Sequence, residues 1–235
     1  MSIRVIGMDL SLRHGAFVEL GDDFSCNYWY YTDRAGAAKR SGTGFRIPPA
    51  ILKVEDFHKR NIMRLVWLRA WVRKLLIERQ PYAVALEDYA YDAGQGSHQL
   101  GELGGTAHLV CWDRNIRLRM HSPGSVKMFG GDNGNATKEM LSERVKAKWN
   151  VDWTYCDPPA KPSKKKNTNT SEDLVDAYVL ARMALVEVKL RKGMMNMQDL
   201  GTDKERQCFL RTTPTFPVNV LGREWVVGGE EEGGV

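Results

Sequence analysis

The stretch Ile3-Arg4-Val5-Ile6-Gly7-Met8-Asp9 is a short apolar run that ends in a carboxylate. Its length and its β-branched residues favour a buried β-strand. Two further strand-like segments follow at residues 14–20 and 25–32, and each is preceded by a short turn. Because short turns join antiparallel neighbours, the beginning of the chain predicts a three-stranded antiparallel meander.

After the meander, helical and strand-like segments alternate. A helix is predicted from about Glu55 to Arg79, because apolar residues recur there at helical spacing until Pro81. The remaining predicted elements are a strand over 82–87, a helix over 97–113, a strand over 115–121, and helices over 136–149 and 171–192. This order predicts an α/β fold with a mixed five-stranded sheet and helices on both of its faces.

The predicted elements define one domain over residues 1–192. Within it, residues 34–54 are rich in Gly, Arg, Lys and Pro and are predicted to form a surface-loop insertion. Residues 193–235 are weakly patterned and end in an acidic, glycine-rich tail. We therefore expect a C-terminal extension that is partly disordered.

The composition excludes some classes of protein and favours a polyanionic partner. The net charge is +5 and the isoelectric point is near 9.0, which is modest support for nucleic acid. No segment approaches ~18 consecutive apolar residues, so a membrane-spanning helix is not expected. The four cysteines include no Cys-x-x-Cys pair, which argues against a zinc site and suits reduced thiols. The N-terminus lacks a secretory signal pattern, so we expect a cytoplasmic protein.

Four carboxylates occupy positions that could form one metal site: Asp9, Glu87, Asp173 and Asp176. Asp9 and Glu87 each end a predicted strand, and the other two are three residues apart on one face of a predicted helix. Carboxylates gathered in one place raise the pKa of one another, and a divalent cation removes that penalty. An all-oxygen donor set suits Mg²⁺ or Mn²⁺ rather than zinc.

Three of these acids also have a simpler interpretation. Asp9 alone could be a turn residue, Glu87 a surface charge on an edge strand, and Asp173 an acid that stabilises the start of a helix by ~0.3–1 kcal/mol. The combination of all four favours the metal site.

Five motifs occur along the chain in a fixed order. They are Ile6-Gly7-Met8-Asp9-Leu10-Ser11 followed by Gly15, then Ala85-Leu86-Glu87-Asp88-Tyr89, then Leu100-Gly101-Glu102-Leu103-Gly104-Gly105, then Lys127 and Lys138 on either side of a glycine-containing turn, and finally Asp173-Leu174-Val175-Asp176-Ala177. Together they resemble the RuvC-type Holliday junction resolvases of the ribonuclease-H-like superfamily. The insertion and the tail are longer than in compact bacterial members, as in a divergent phage or viral resolvase.

The resemblance implies an endonuclease that resolves four-way DNA junctions. It implies a homodimer that makes paired symmetric nicks, with two Mg²⁺ or Mn²⁺ ions per site held by the four carboxylates. It places Lys127 and Lys138 near the scissile phosphate and suggests that Tyr89 or Tyr91 stacks on DNA bases. The run Lys164, Lys165 and Lys166 could contact the DNA backbone, although such a run is usually a solvated surface.

Two alternatives stay open at this point. One is a nuclease with a broader choice of branched DNA, including flaps, and the other is a non-catalytic DNA-binding module on the same fold. His14 and His121, near strand ends, are interpreted as structural, and Trp67 and Trp71 as core or interface residues of the long helix.

Overall fold

The predicted meander forms one half of the central sheet. The computed structural model describes residues 2–33, 43–88, 97–153, 170–210 and 220–228. Its first three strands are β1 (Arg4–Leu10), β2 (His14–Gly21) and β3 (Cys26–Thr32). Both pairs, β1 with β2 and β2 with β3, are antiparallel, as the short turns predict.

The other three strands pair in parallel and lie on both sides of the meander, and the strand count differs from the prediction. The strands are β4 (Gly44–Arg46), β5 (Ala83–Glu87) and β6 (Arg117–His121). Among the described residues the sheet has six strands in the order β4-β3-β2-β1-β5-β6. The sixth strand is β4, which pairs in parallel with β3. It lies in the segment predicted as a loop, where its three residues are too few to show a periodic pattern.

Helices cover both faces of the sheet, as predicted. The helices are α1 (Pro49–Leu52), α2 (Phe57–Arg79), α3 (Ser97–Asp113), α4 (Pro123–Gly131), α5 (Lys138–Trp149), α6 (Thr170–Arg191) and α7 (Asp203–Leu210). Helices α1, α2 and α3 pack on one face, and α4, α5, α6 and α7 on the other. In the described part of the chain, no helix is long and apolar enough to cross a membrane.

Alternation along the strands supplies the two cores. In β1, Val5 belongs to the core on the α6 face, and Ile6 and Met8 belong to the core on the α2 face. Successive side chains of a strand point to opposite faces, so a continuous apolar run fits a strand that is covered on both sides. Gly7 and Asp9 follow Val5 at intervals of two residues and therefore lie on the same face of the sheet as Val5.

A buried ion pair joins the last strand to the long helix. Arg119 of β6 forms two hydrogen bonds to the carboxylate of Glu187 on α6, at 2.7 and 3.0 Å. The same guanidinium donates to the main-chain carbonyls of Arg223 and Glu224. Beside it, Leu118 and Val226 form an antiparallel bridge through main-chain hydrogen bonds of 2.7 and 3.2 Å. The segment 220–228 is thereby attached along the outer side of β6.

Candidate active site

Two neighbouring strands bring the first two carboxylates together. Strands β1 and β5 are parallel, and their last paired residues are Met8 and Leu86. Asp9 and Glu87 each follow directly, so both stand at the same edge of the sheet. Both also point to the face of the sheet that α6 covers, which is the face of Val5 in β1 and of Ala83 and Ala85 in β5.

The long helix adds the other two carboxylates because it lies very close to β1. A Cβ atom built on Gly7 would lie 2.0 Å from the main-chain oxygen of Ala177 and 2.4 Å from the main-chain nitrogen of Ala181. Only glycine permits this approach of helix to strand. Asp173 and Asp176 lie on the first two turns of α6, so the close contact places them over the end of β1. Asp173 is only 3% exposed.

Burial and mutual repulsion raise the pKa of three of these carboxyl groups. Burial, assisted by the charges of Asp173 and Glu87, raises the pKa of Asp9 well above its usual range. Burial and the charge of Asp176 raise the pKa of Glu87 to about 7. Burial and the charge of Asp9 raise the pKa of Asp176 to about 8. The four acids therefore form one electrostatically coupled cluster, although they are far apart in the sequence.

Lys138 is the principal cation beside this cluster. Its Nζ lies 3.7 Å from Oδ2 of Asp176 and 3.7 Å from Oε2 of Glu172. Burial favours its neutral form, but the charges of Asp176 and Asp9 outweigh burial and raise the pKa of Lys138. Lys127 acts in the same direction as Lys138, since both lower the pKa of Glu87. The two lysines predicted from their spacing therefore stand beside the carboxylates, Lys127 on α4 and Lys138 at the first residue of α5.

One neighbour of the cluster was missed by the sequence interpretation. The imidazole Nδ1 of His14 lies 2.6 Å from Oδ2 of Asp173 and donates to it. Since Asp173 is buried, this bond orients its carboxylate. The position of His14 in the hairpin was a signal that it lies near the acids. Ala16 pairs with Asp9, so His14, two residues before Ala16, lies just past the end of β1. His14 is thus more than a structural residue of the strand.

The other histidine fits the structural interpretation. His121 pairs in register with Glu87 and is fully buried. Burial and the charge of Arg119 lower the pKa of His121 to about 3, so the ring is neutral. Trp67 and Trp71 likewise pack against the core on the α2 face.

Five predicted DNA contacts cannot be placed. They lie outside the described residues and are Tyr89, Tyr91, Lys164, Lys165 and Lys166.

The chemistry of the cluster fits a divalent cation. Its donors are carboxylate oxygens, which Mg²⁺ and Mn²⁺ prefer, and burial together with the charges of neighbouring acids raises the pKa of Asp9 and Asp176. Within the described ranges, no three His, Cys, Asp or Glu side chains converge tightly enough to enclose an ion as they lie. Asp173 and Asp176 instead contact His14 and Lys138. The four acids are the candidate metal ligands, and their charge is partly balanced by His14 and Lys138.

Comparison with known proteins identifies the fold. No protein-family model matches the chain, and no curated protein matches it. The chain is similar to the structure of Thermus thermophilus RuvC in complex with a Holliday junction substrate, with a TM-score of 0.51 and 17% identity, over 81% of this chain and 96% of that one. A second Thermus thermophilus RuvC structure has a TM-score of 0.49 and 18% identity over 81% and 97% of the two chains. The yeast mitochondrial Holliday junction resolvase Ydc2 has a TM-score of 0.41 and 13% identity over 82% and 86%.

The predicted RuvC-type resolvase fold is confirmed by the first of these similarities, and the sheet differs from the predicted one by a single short strand.

Proposed function

We propose that this chain is a structure-selective DNA endonuclease that resolves four-way junctions by metal-dependent hydrolysis, giving paired symmetric nicks. One observation carries the proposal. The ends of β1 and β5 and the start of α6 bring four acids and Lys138 into one partly buried cluster. On a RuvC-type fold, a cluster of this chemistry has few uses other than metal-dependent attack on a phosphodiester.

In this proposal Asp9, Glu87, Asp173 and Asp176 hold two Mg²⁺ or Mn²⁺ ions. When bound, such ions supply Lewis-acid stabilisation of the charge that develops on the phosphoryl group. The protein contributes a cluster whose charge repulsion is relieved on binding, so that ions are held in the place where the four acids meet. His14 keeps the Asp173 carboxylate in one orientation.

The two lysines are proposed to act on the substrate. Nζ of Lys138, within 3.7 Å of an acid of the cluster, is placed to balance negative charge on the phosphoryl group in the transition state. Lys127 reaches the same region from α4. Tyr89 or Tyr91 and the run Lys164 to Lys166 remain proposed contacts to bases and to the backbone of the DNA.

A DNA substrate agrees with the charge of the chain. There are 34 Lys and Arg residues against 29 Asp and Glu, although four of those acids lie in the site. A polyanion would be attracted to the positive remainder of the surface. The first structural relative was solved with a Holliday junction substrate, and we propose the same class of substrate here. The activity would then belong in a DNA-containing cytoplasm.

We also propose that the enzyme is a homodimer, because one face of α3 is apolar and is not covered by any of the described residues. Gly101 and Gly105 have no atom within 4 Å of a built Cβ, and Leu109 and Trp112 are 61% and 52% exposed. Their spacing puts all four on one stripe of the helix. A second copy could approach closely at the glycines and bury the large side chains, which would give two sites for two nicks. Leu109→Glu should therefore convert a dimer into a monomer in light-scattering chromatography.

The deciding experiment is cleavage of a labelled immobile four-way junction in Mg²⁺, compared with linear duplex and with a flap. Asp9→Asn serves as the control variant. We expect paired nicks at symmetric positions in the junction, little cutting of linear duplex, and no cutting by the variant.

The outcomes separate the alternatives. Equal cutting of the flap would indicate a broader branched-DNA nuclease. Tight junction binding without cutting in Mg²⁺ or Mn²⁺ would leave a binding module on this fold. Normal cutting by Asp9→Asn would refute the assigned site.

A further inference from the structure

Three arginines gather on the side of the site that faces away from the two lysines. They are Arg13, in the turn between β1 and β2, and Arg60 and Arg64, on the first two turns of α2. After burial, the positive charges of Arg60 and Arg13 are the causes that lower the pKa of Arg64, and the charge of Asp33 opposes them. Arg60 and Arg64 are one helical turn apart on α2 and so share a face of that helix, and the charge of Arg13 acts on the same group.

The carboxylate of Asp33 does not balance this charge. It accepts a hydrogen bond of 2.7 Å from Nε of Arg13, which leaves two guanidinium groups in excess. Arg60 donates to the main-chain oxygen of Val54. Nε of Arg64 is buried and has no hydrogen-bond partner among the described residues. A buried donor without a partner is costly, and Arg64 as a whole is only partly buried, so a small change of its side chain would let the guanidinium meet an acceptor from outside the chain.

The helix dipole makes the arrangement less favourable still. The first turn of α2 contains no acidic residue, and Asp56 before it serves as the N-cap through the main-chain nitrogen of Lys59. Cations near a helix N-terminus face the positive end of the dipole. Arg60, on the first turn, therefore faces the positive end of the dipole, and an anion bound there would be attracted both by the arginine and by the helix.

The cluster lies at the same end of the sheet as the carboxylates. Arg13 is adjacent to His14, which contacts Asp173, and the turn that carries Arg13 begins just after Asp9. Helix α2 packs on one face of the sheet, while α4 and α5, which carry the two lysines, lie on the face covered by α6. Cations therefore flank the carboxylates from both faces of the sheet.

We infer that Arg13, Arg60 and Arg64 form a second DNA-backbone site, which binds phosphates of the substrate on the far side of the cleavage point from Lys127 and Lys138. The inference rests on the proposed function for the identity of the substrate. Guanidinium groups match phosphate geometry with two parallel hydrogen bonds. A strand crossing the sheet edge would then be held on both sides of the carboxylates, and its scissile phosphate would be fixed between them.

The test measures binding and does not need cleavage. Binding of a fluorescent four-way junction is followed by anisotropy across a salt series, with every variant built on Asp9→Asn. The test variant is Arg60→Gln with Arg64→Gln. The matched control is Arg73→Gln with Lys74→Gln, which removes the same charge from exposed positions on the same helix, about 20 Å further along it.

The double test variant should weaken binding about tenfold and reduce the slope of log K against log salt by about 2, roughly one for each lost phosphate contact. The control should change affinity less than twofold. Arg13→Gln alters a side chain that is 70% exposed, so it should fold normally and should reduce the slope by about 1. If the double variant does not fold, Arg13→Gln alone tests whether the arginines bind the DNA backbone.

Equal slopes for the test and control variants, or for Arg13→Gln and its parent, would overturn the inference. The cleavage assay fails or succeeds separately. If the protein with Asp9 intact binds junctions through these arginines but never nicks them, the backbone site stands and the proposed activity is refuted.

Discussion

Replacing Glu87 by glutamine should stabilise the metal-free protein at alkaline pH. The folded protein raises the pKa of this carboxyl group to about 7, mainly through burial and the charge of Asp176, from an ordinary value of 4.5. Between these two pH values the folded state holds more protons than the unfolded state. The free energy of unfolding therefore falls as pH rises through this window, which is the reverse of the usual behaviour of a paired acid.

The size of the effect follows from the same two values. Each tenfold change in proton affinity corresponds to about 1.4 kcal/mol, so the ionised Glu87 costs about 3 kcal/mol at pH 8 and below about 1 kcal/mol at pH 5. Glutamine keeps the shape and removes the charge. Relative to the parent, Glu87→Gln should be more stable by about 3 kcal/mol at pH 8, with little difference at pH 5.

Urea unfolding in EDTA at pH 5 and pH 8 measures this difference. Glu143→Gln, at an exposed position on α5, is the control and should change stability by less than about 0.5 kcal/mol at either pH. A variant less stable than the parent at pH 8, or a difference that does not depend on pH, would refute the electrostatic description of the cluster.

Substitutions at three other positions probe the framework around the site. Gly7→Ala should cost at least about 3 kcal/mol or displace α6, because its methyl group would lie 2.0 Å from a helix backbone oxygen; thermal unfolding measures this, and an unchanged melting temperature would contradict the close approach. His14→Ala should weaken Mn²⁺ binding, measured by titration calorimetry, by about 10–100-fold, whereas His14→Asn should retain part of the affinity by donating to Asp173; identical affinities for the parent and the alanine variant would exclude an orienting role. Glu187→Gln should destabilise the protein by about 3–5 kcal/mol, because it leaves the buried Arg119 charge unbalanced, and a loss below about 1 kcal/mol in urea unfolding would argue against that.

Local patterns were sufficient to predict most of the framework. The run that ends at Asp9 is a strand because short β-branched segments bounded by turns have few other structures. The last helix was predicted over 171–192 and spans Thr170–Arg191, since its apolar positions repeat over several turns. These predicted elements were enough to identify the candidate acids, which are Asp9, Glu87, Asp173 and Asp176. Placing acids at strand ends and on one helix face is a local inference that needs no knowledge of packing.

Short elements escaped prediction for a physical reason. Helix α4 has nine residues and ends in Gly130 and Gly131, so the glycines suggested a turn. Ser122 and Pro123 supplied an N-cap and a first helical residue that are typical of a helix start. The predicted glycine turn between the lysines is therefore partly the end of a helix, which carries Lys127.

Contacts between distant residues that no motif connects could not be predicted. His14 and Asp173 are 159 positions apart, and only the fold brings them together. The same holds for the three arginines, because Arg13 belongs to a hairpin and Arg64 to a helix. Pairing of this kind depends on the three-dimensional arrangement of elements, on which periodicity carries no information.

The segment 220–228 has a consequence for solubility. A β-strand at the margin of a sheet presents unpaired main-chain groups that can recruit another chain and start aggregation. The bridge between Leu118 and Val226 pairs main-chain groups of β6 that would otherwise be free. The Arg119 guanidinium also holds this segment by donating to the main-chain oxygen of Arg223. A protein that ended after α7 would keep its carboxylate cluster but would expose this margin. The C-terminal segment thus protects the β6 edge against edge-to-edge association, and this role is separate from the chemistry of the site.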